Sequence, residues 1–363
     1  MGKRLVFDID FIIFAAASIA EERFITATHT PTGRKMEFEN KTALYGHYKK
    51  KEGGWIASEN LKDGNDFWKV EDFEILECQR PRPFKVLGKD IFSGEHDKSK
   101  DYFISPLEGA KQIVDSKIAD ICAKLGTTEY SGYTGKGDVF RHDICTLLYY
   151  KDRGHLMKPL ILDKLKQYVC DRHNCELVTG LEADDFCNMA VLKGYDNWVV
   201  NGRKEEDIVI GVAEDKDSKQ CSGWHFNPNK DSEPRLIEGL GSLWLTEKDE
   251  VDGHGRMWLY FQIGSSDSSD NYAANCFSDL SWGSKSAYKV LKDSKTDREA
   301  LEGLVTIFKK LYPEKKTVEG CKGLVEIDWL YVMQECFTMA LMLRHPEDRV
   351  DVKALLTKLN ITL

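Results

Sequence analysis

The chain has 363 residues, 42% of them apolar and 31% charged, with a formal net charge of −9. These figures exclude a disordered or collagen-like chain and fit one large globular domain or two ordinary ones. No run approaches the roughly 18 apolar residues of a membrane span, so no membrane partner is expected.

The N-terminal stretch MGKRLVFDIDFIIFAAASIA begins like a secretory signal, with two basic residues before an apolar run. Asp8 and Asp10 interrupt that run, which a signal h-region does not tolerate. It reads instead as a strand (RLVF), an acidic turn and a buried helix, and a cytoplasmic protein is expected. The ten cysteines are scattered without a C-x-x-C pair. They read as reduced structural thiols rather than a zinc site.

Residues 24–115 alternate polar, Lys-rich and short apolar pieces, with FKVLGKDIF as a candidate strand, and read as an insertion in the domain. Helical spacing follows at Ile113, Ile118, Ile121 and Leu125, and TEYSGYTG reads as a second central strand ending near Thr134. Residues 140–159 are basic and aromatic. A helix from Leu160 to Cys170 leads to the strand CELVTG, after which Thr179 and Glu182 stand at capping-box spacing for a helix beginning at Glu182. The strand DIVIGVA comes next. Residues 219–255 read as turns with a β-hairpin, and the text from Arg256 onward as mainly helical, ending in a long helix from Val325 to Arg344.

Four acidic clusters stand out along this path: Asp8/Asp10, Glu182/Asp184/Asp185, Glu214/Asp215/Asp217 and Asp267/Asp270. Three directly follow apolar runs of the kind that form strands buried on both faces of a parallel sheet. Ligands of open α/β sheets bind outside the carboxyl ends of the strands, so these acids can meet in one place. Gathered carboxylates repel unless cations sit among them, and the fitting cations are hard ones such as Mg²⁺ or Mn²⁺. Taken alone, each cluster also reads as a helix cap, a surface turn or an Asx-turn. Their conjunction, in an order that suits one sheet, points to two-metal phosphodiester hydrolysis. The negative net charge does not exclude a nucleic-acid partner, because two divalent ions would offset roughly four charges at the site.

The segment IGSSDSSDNYAANCFSDLSWGSKSAYKVL resembles the GDSSDN…G(I/V)G-x-K-T-A-x-x-LL segment of the flap endonuclease/5′–3′ exonuclease superfamily. That group includes the nuclease domain of bacterial DNA polymerase I and the exonucleases of tailed phages. FDID with IFAAAS, KGDVFRHD, GLEADD and the Asp215-Lys216-Asp217 triplet match it in the same order, over residues 3–20 and 127–292. The resemblance implies a PIN-like α/β nuclease domain with a mainly parallel sheet, here residues 1–255 with an insertion at 24–115 and an arch at 140–159. It also implies a helical, duplex-binding region of helix–turn–helix type at 256–363. It places one metal group at Asp8, Glu182 and Asp184 and a second at Asp185, Asp215, Asp217, Asp267 and Asp270, with two Mg²⁺ or Mn²⁺ ions. Asp10 also occurs in some phage members of that group but takes no place in either metal group.

The same resemblance makes Lys136 and Arg141 phosphate contacts at the base of the arch, with Arg153 beside the scissile phosphate and Tyr149 or Tyr150 stacking on an unpaired base. Lys151 would bind nucleic acid. Ser284, Lys285, Lys289 and Lys292 would grip duplex phosphates after a tight turn at Gly283, in an element that also holds K⁺ in the family. One departure matters: where the family places an Asp at the end of the second strand, this chain has Thr134. Asp138 is a replacement if the loop bends back, and restoring Asp at 134 is expected to help metal binding. The implied activity is cleavage of DNA from 5′ ends or at 5′ flaps in a bacterial or phage-infected cell. The rivals are a nucleic-acid-binding protein of the same fold with weak or lost catalysis, and a nuclease acting on the RNA of RNA–DNA hybrids.

Overall fold

The computed structural model describes residues 3–46, 53–87, 96, 98–152, 154 and 156–362. The chain opens with β1 (Arg4–Asp8) and α1 (Asp10–Ile19). β2 (Glu21–His29), β3 (Arg34–Phe38), α2 (Lys41–Tyr45), α3 (Trp55–Asp63) and β4 (Phe73–Pro81) follow, then the hairpin of β5 (Phe84–Val86) and β6 (Tyr102–Ile104). The middle of the chain runs through α4 (Pro106–Leu125), β7 (Tyr130–Val139), α5 (Phe140–Ile144), α6 (Leu162–Arg172), β8 (Cys175–Gly180), α7 (Ala183–Val200) and β9 (Val209–Val212). It continues with β10 (Gly223–Phe226), β11 (Arg235–Ile237) and the hairpin β12 (Ser242–Leu245)–β13 (Val251–His254). α8 (Arg256–Ile263), the short pair β14 (Ser266–Asp267)–β15 (Tyr272–Ala273), α9 (Ser284–Leu291) and α10 (Asp297–Leu311) come next. The chain closes with the hairpin β16 (Lys316–Gly320)–β17 (Gly323–Ile327), α11 (Trp329–Ala340) and α12 (Val352–Lys358).

The architecture is mixed α/β. Its central sheet has the order β11-β10-β9-β1-β7-β8, parallel throughout except for β11. Leu5, Val6 and Phe7 of β1 have no exposed surface, as an uninterrupted apolar run at the middle of a parallel sheet requires. The register pairs Asp8 with Tyr133 and Phe7 with Val212, and Tyr133 with Glu176. The carboxyl ends of β1 and β9 therefore finish side by side, on the edge towards which β7 and β8 also run, and the segments that leave β1, β8 and β9 carry the acids.

Contacts divide the chain into two compact units: residues 1–11, 118–157 and 166–363 in one, and 12–117 with 158–165 in the other. The helices after Arg256 thus share a unit with the central sheet, and position 255/256 is no boundary between units. Their core, built on Trp258, Phe261, Leu304, Phe308, Met333 and Phe337, is continuous with Cys145, Leu147 and Tyr150. The second unit has its own antiparallel sheet, β3-β2-β4, with a core of Ile25, Ala27, Leu44, Ile56, Trp68 and Phe73. The stretch expected as an elaboration of the nuclease domain therefore buries apolar surface of its own. Its sequence hides this because the aromatic residues are scattered among charged ones.

Several boundaries differ from expectation. β7 runs to Val139, beyond Thr134, with a register shift against β8 and Gly137 at φ +80°. Only Phe84–Val86 of FKVLGKDIF forms the described strand, and residues 88–92 lie outside the described residues. Val325 belongs to β17 and the last long helix starts at Trp329, where Asp328 caps it by accepting from the Tyr331 amide. Glu182 is itself the N-cap of α7 and makes no side-chain capping bond, so the expected capping box is absent. Its carboxylate is drawn to cationic and hydroxyl partners instead. Gly283 has an extended backbone at φ −171°, which any residue adopts, so the start of α9 does not depend on glycine.

Candidate metal centre

Asp8 ends β1, Glu182 and Asp184 open α7 after β8, Asp215 and Asp217 follow β9, and Asp267 and Asp270 flank the β14–β15 turn. The last pair is shaped by local chemistry: Asp267 Oδ1 accepts from the Ser269 amide at 2.7 Å and the Asp270 amide at 3.3 Å, an Asx-type turn. Asp215 Oδ1 accepts from the Asp217 amide at 2.9 Å in the same manner. Glu214 is exposed, and its backbone and side-chain oxygens are engaged by Asn227 and Asn229.

The electrostatics tie these acids together. Burial, then Asp10 and Asp215, push the Asp8 carboxyl up to about 7. Asp184 is driven well above the usual carboxylate range by burial and by Glu182, Asp185 and Asp8. Asp217 is pushed up to about 7 by burial and by Asp215 and Asp270. Burial raises Asp270 as well, with Glu182, Asp267 and Asp215 adding to it against Lys151. Carboxylates that raise one another in this way favour a cation placed among them.

Two lysines partly supply the missing charge. Lys151, in a left-handed conformation at φ +47°, places its ammonium on Glu182 Oε1 and 3.4 Å from Asp270 Oδ1. Lys216 bonds Asp267 Oδ2 and lies 3.5 Å from Asp217 Oδ1. Burial opposes ionisation of Glu182 and Asp267, but Lys151 with Arg141 and Lys216 respectively outweigh it, and both pKa values fall below the ordinary range. Tyr150 donates to Glu182 Oε2 at 2.7 Å and to Asp270 Oδ2 at 3.2 Å, and Gln262 donates to Asp217.

Arg141 corrects an expectation. It is 2% exposed and cannot reach a phosphate. Its guanidinium donates to Glu182 Oε2 at 2.7 Å, to both oxygens of Asp185 at 2.8 and 3.1 Å, and to the Leu341 carbonyl at 2.6 Å. Asp185 has no exposed surface and also accepts from the Leu343 amide at 3.0 Å. Glu182, Asp184 and Asp185 offer oxygens that all lie within 4.8 Å of one another, yet Asp185 is the member already held on both oxygens.

Tyr149 is 48% exposed and stacks on His142 with centroids 5.9 Å apart, whereas Tyr150 is buried. Residues 142–147 of the expected arch are anchored rather than free. Glu335 accepts from the Thr146 and Leu147 amides at 3.0 and 2.7 Å, and the Cys321 amide and Lys322 bond carbonyls of the same stretch. Lys136 is exposed near the end of β7. Arg153 lies outside the described residues. Lys285, Lys289 and Lys292 are exposed opposite the buried Ala287 and Leu291, with Ser284 at the first position of α9. Lys285 pairs with Asp249 and Lys292 with Asp293.

Asp138 does not bend back: its side chain is 95% exposed. Thr134 is fully buried, and its hydroxyl donates to Asp10 Oδ1 at 2.5 Å. Sequence reasoning assigned no role to Asp10, Tyr150's hydroxyl, Lys216 or Gln262. Lys216 alone carried a signal, as a cation inside an acidic triplet. Behind the acids lies a small cavity of about 20 Å³ bounded by Asp8, Asp184, Asp215, Cys187 and His225. Burial pushes the His225 imidazole down to about 4, so it faces the acids as a neutral ring.

The donor set fits hard divalent cations. It is all carboxylate oxygen, crowded, and bridged by ammonium groups where positive charge is needed. No protein-family model matches the chain, and no curated protein matches its sequence. A solved structure of the T5 D15 protein, co-crystallised with metal ions, is similar over 68% of this chain and 89% of that one, at 13% identity and a TM-score of 0.38. A likeness of that degree carries no argument about chemistry.

Proposed function

We propose that the chain is a Mg²⁺- or Mn²⁺-dependent phosphodiesterase that cleaves nucleic acid from 5′ ends or at 5′ flaps. The observation that carries this reading is the convergence of acids from three parallel strand ends and the β14–β15 turn, with raised pKa values on Asp8, Asp184, Asp217 and Asp270. Asp8, Glu182 and Asp184 would hold one ion, and Asp215, Asp217, Asp267 and Asp270 the other. Bound divalent ions supply Lewis-acid activation of water and stabilisation of the leaving oxygen.

The chain's own residues do the rest. Arg141 and Asp185 form a buried brace that fixes the start of α7 and, through Glu182, one edge of the centre. Lys151 is the cation best placed to turn from Glu182 and Asp270 towards an anionic substrate once those carboxylates are engaged. Tyr149 offers an exposed ring to an unpaired base. Lys285, Lys289 and Lys292 offer charge to backbone phosphates without reading sequence, and Ser284 stands at the same helix start.

A second reading, a nucleic-acid-binding protein that does not cleave, has one observation in its favour: Lys151 and Lys216 each bridge two of the carboxylates and so meet part of their charge from within. Purified protein incubated with 5′-labelled flap, nicked, blunt duplex and RNA–DNA hybrid substrates in Mg²⁺, Mn²⁺ or EDTA separates the two. Metal-dependent cleavage is expected, strongest at a 5′ flap or end. Binding of the same substrates without cleavage in either metal sinks the enzyme reading.

A further inference from the structure

We propose that Asp10 is a working carboxylate of this metal centre and that Thr134 is its positioning residue. The inference rests on the metal-centre reading above and adds to it the member of the first acidic cluster that neither metal group includes.

Asp10 is the first residue of α1, a place where an acid ordinarily serves the helix end. Its side chain goes elsewhere. Oδ1 accepts from the Thr134 hydroxyl at 2.5 Å and lies 3.5 Å from the Lys166 ammonium, and Oδ2 accepts from the Gly135 amide at 3.3 Å. Three donors from β7 and α6 thus aim one carboxylate across the carboxyl end of the sheet.

Two geometric facts place it among the metal-site acids. The Asp10 amide donates to Asp8 Oδ1 at 3.3 Å, so the two residues are in direct contact. A Cβ added to Gly135 would lie 3.8 Å from both Asp10 Oδ2 and the Ala183 amide nitrogen, so Asp10 and the start of α7 flank the same glycine. Thr134 has no exposed surface, so its hydroxyl has no solvent partner to exchange with. A buried hydroxyl whose bond orients a carboxylate is the kind of supporting contact that tunes metal affinity from outside the ligand shell. Thr134 therefore contributes no charge of its own but holds the charge that the start of α1 sends across to β7.

The test is Mn²⁺ binding to the intact, EDTA-stripped chain, followed by electron paramagnetic resonance of free Mn²⁺, for wild type, Asp10→Asn, Thr134→Ser and Thr134→Val. Circular dichroism melts without metal report folding. Asp10→Asn is expected to weaken one class of sites by about tenfold, Thr134→Val by about threefold, and Thr134→Ser to stay close to wild type. Unchanged Mn²⁺ affinity in Asp10→Asn overturns the inference, since Asp10 would then only tie α1 to β7. Equal loss in Thr134→Ser and Thr134→Val overturns the positioning role, because packing and not the hydroxyl would matter. Should Thr134→Val not fold, Asp10→Asn and Thr134→Ser still decide. If wild type itself binds no Mn²⁺, the metal-centre reading fails first, an outcome distinct from wild-type binding that the variants leave unchanged.

Discussion

Removing the Arg141 guanidinium is the sharpest test of how the acids are held. Arg141→Met keeps the aliphatic volume but deletes four hydrogen bonds: one to Glu182, two to Asp185 and one to the Leu341 carbonyl. Solvent cannot screen the loss, because Arg141 is 2% exposed and Asp185 fully buried. Asp185 would keep only the Leu343 amide as a partner among these bonds. Breaking a buried pair by removing one member costs about 3–5 kcal/mol, most of it the penalty of the charge left behind. At roughly 2 °C per kcal/mol for a chain of this size, the melting temperature should drop by about 6–10 °C. Adding Asp185→Asn should recover part of the loss, since the stranded charge is then gone, and Arg141→Lys should recover little because it cannot form the bidentate fork. Thermal melts in EDTA of wild type, Arg141→Met, Arg141→Lys, Asp185→Asn and the double variant measure this. A drop below about 2 °C for Arg141→Met, or a double variant that loses the sum of the single effects, would refute the buried-brace reasoning.

The remaining predictions concern charge. Asp8 and Asp217 are raised from 3.8 to about 7, so between roughly pH 4 and 7 the folded state binds more protons than the unfolded one, and metal-free stability should fall as pH rises through that window. Glu182 and Asp267 are shifted the other way, and their stabilisation is lost only as pH falls below about 4, so melting in EDTA should peak in the acid range and the decline towards pH 7 should flatten when Mn²⁺ is added. Asp215→Asn should cut cleavage by about 100-fold or more while sparing substrate binding in EDTA; retained cleavage excludes Asp215 from the centre. Lys216→Met removes the ammonium between Asp217 and Asp267 and should widen the gap between melting temperatures with and without Mn²⁺, whereas an unchanged gap shows that Lys216 is not the internal counter-ion. Thr134→Asp should lower both stability and Mn²⁺ affinity, because it sets a second carboxylate against Asp10 from a fully buried position; higher affinity would mean that the two acids share an ion.

The parts of this fold that are legible in the sequence are those where one element type and one boundary signal coincide. RLVF, CELVTG and the apolar core of DIVIGVA are too short and too uniformly apolar to be surface helices, and an acid ends or closely follows each run; all three are parallel strands of one sheet. β10 and β11 stay hidden because GWHF and RLI are three or four residues long and lie among Gly, Pro and Asn, where turns are the simpler reading. The antiparallel sheet of the second unit is hidden for a different reason. Its strands carry Glu, Arg and Lys without a regular alternation, and its core is completed by Trp68 and Trp55, which come from a loop and the start of a short helix with no periodicity to reveal them.

Within the site, identity is easier to read than allegiance. Spacing and strand ends select the acids, but nothing in GLEADD tells that Asp185 answers to Arg141 and to the backbone at Leu343 while Asp184 faces Asp8. Likewise Arg141 and Lys151 are both cations in one basic stretch, and burial alone separates them: one is locked behind the acids and the other sits among them. Thr134 is the clearest instance. Aligned by pattern it is a missing carboxylate, and the natural repair is to restore the acid. In three dimensions its hydroxyl already has a carboxylate to hold, supplied by Asp10 at the start of α1, 124 positions away in sequence. A pattern that compares residues position by position registers a loss there. A sheet, which brings the ends of β1 and β7 side by side, lets an acid just past one strand answer a buried hydroxyl on its neighbour.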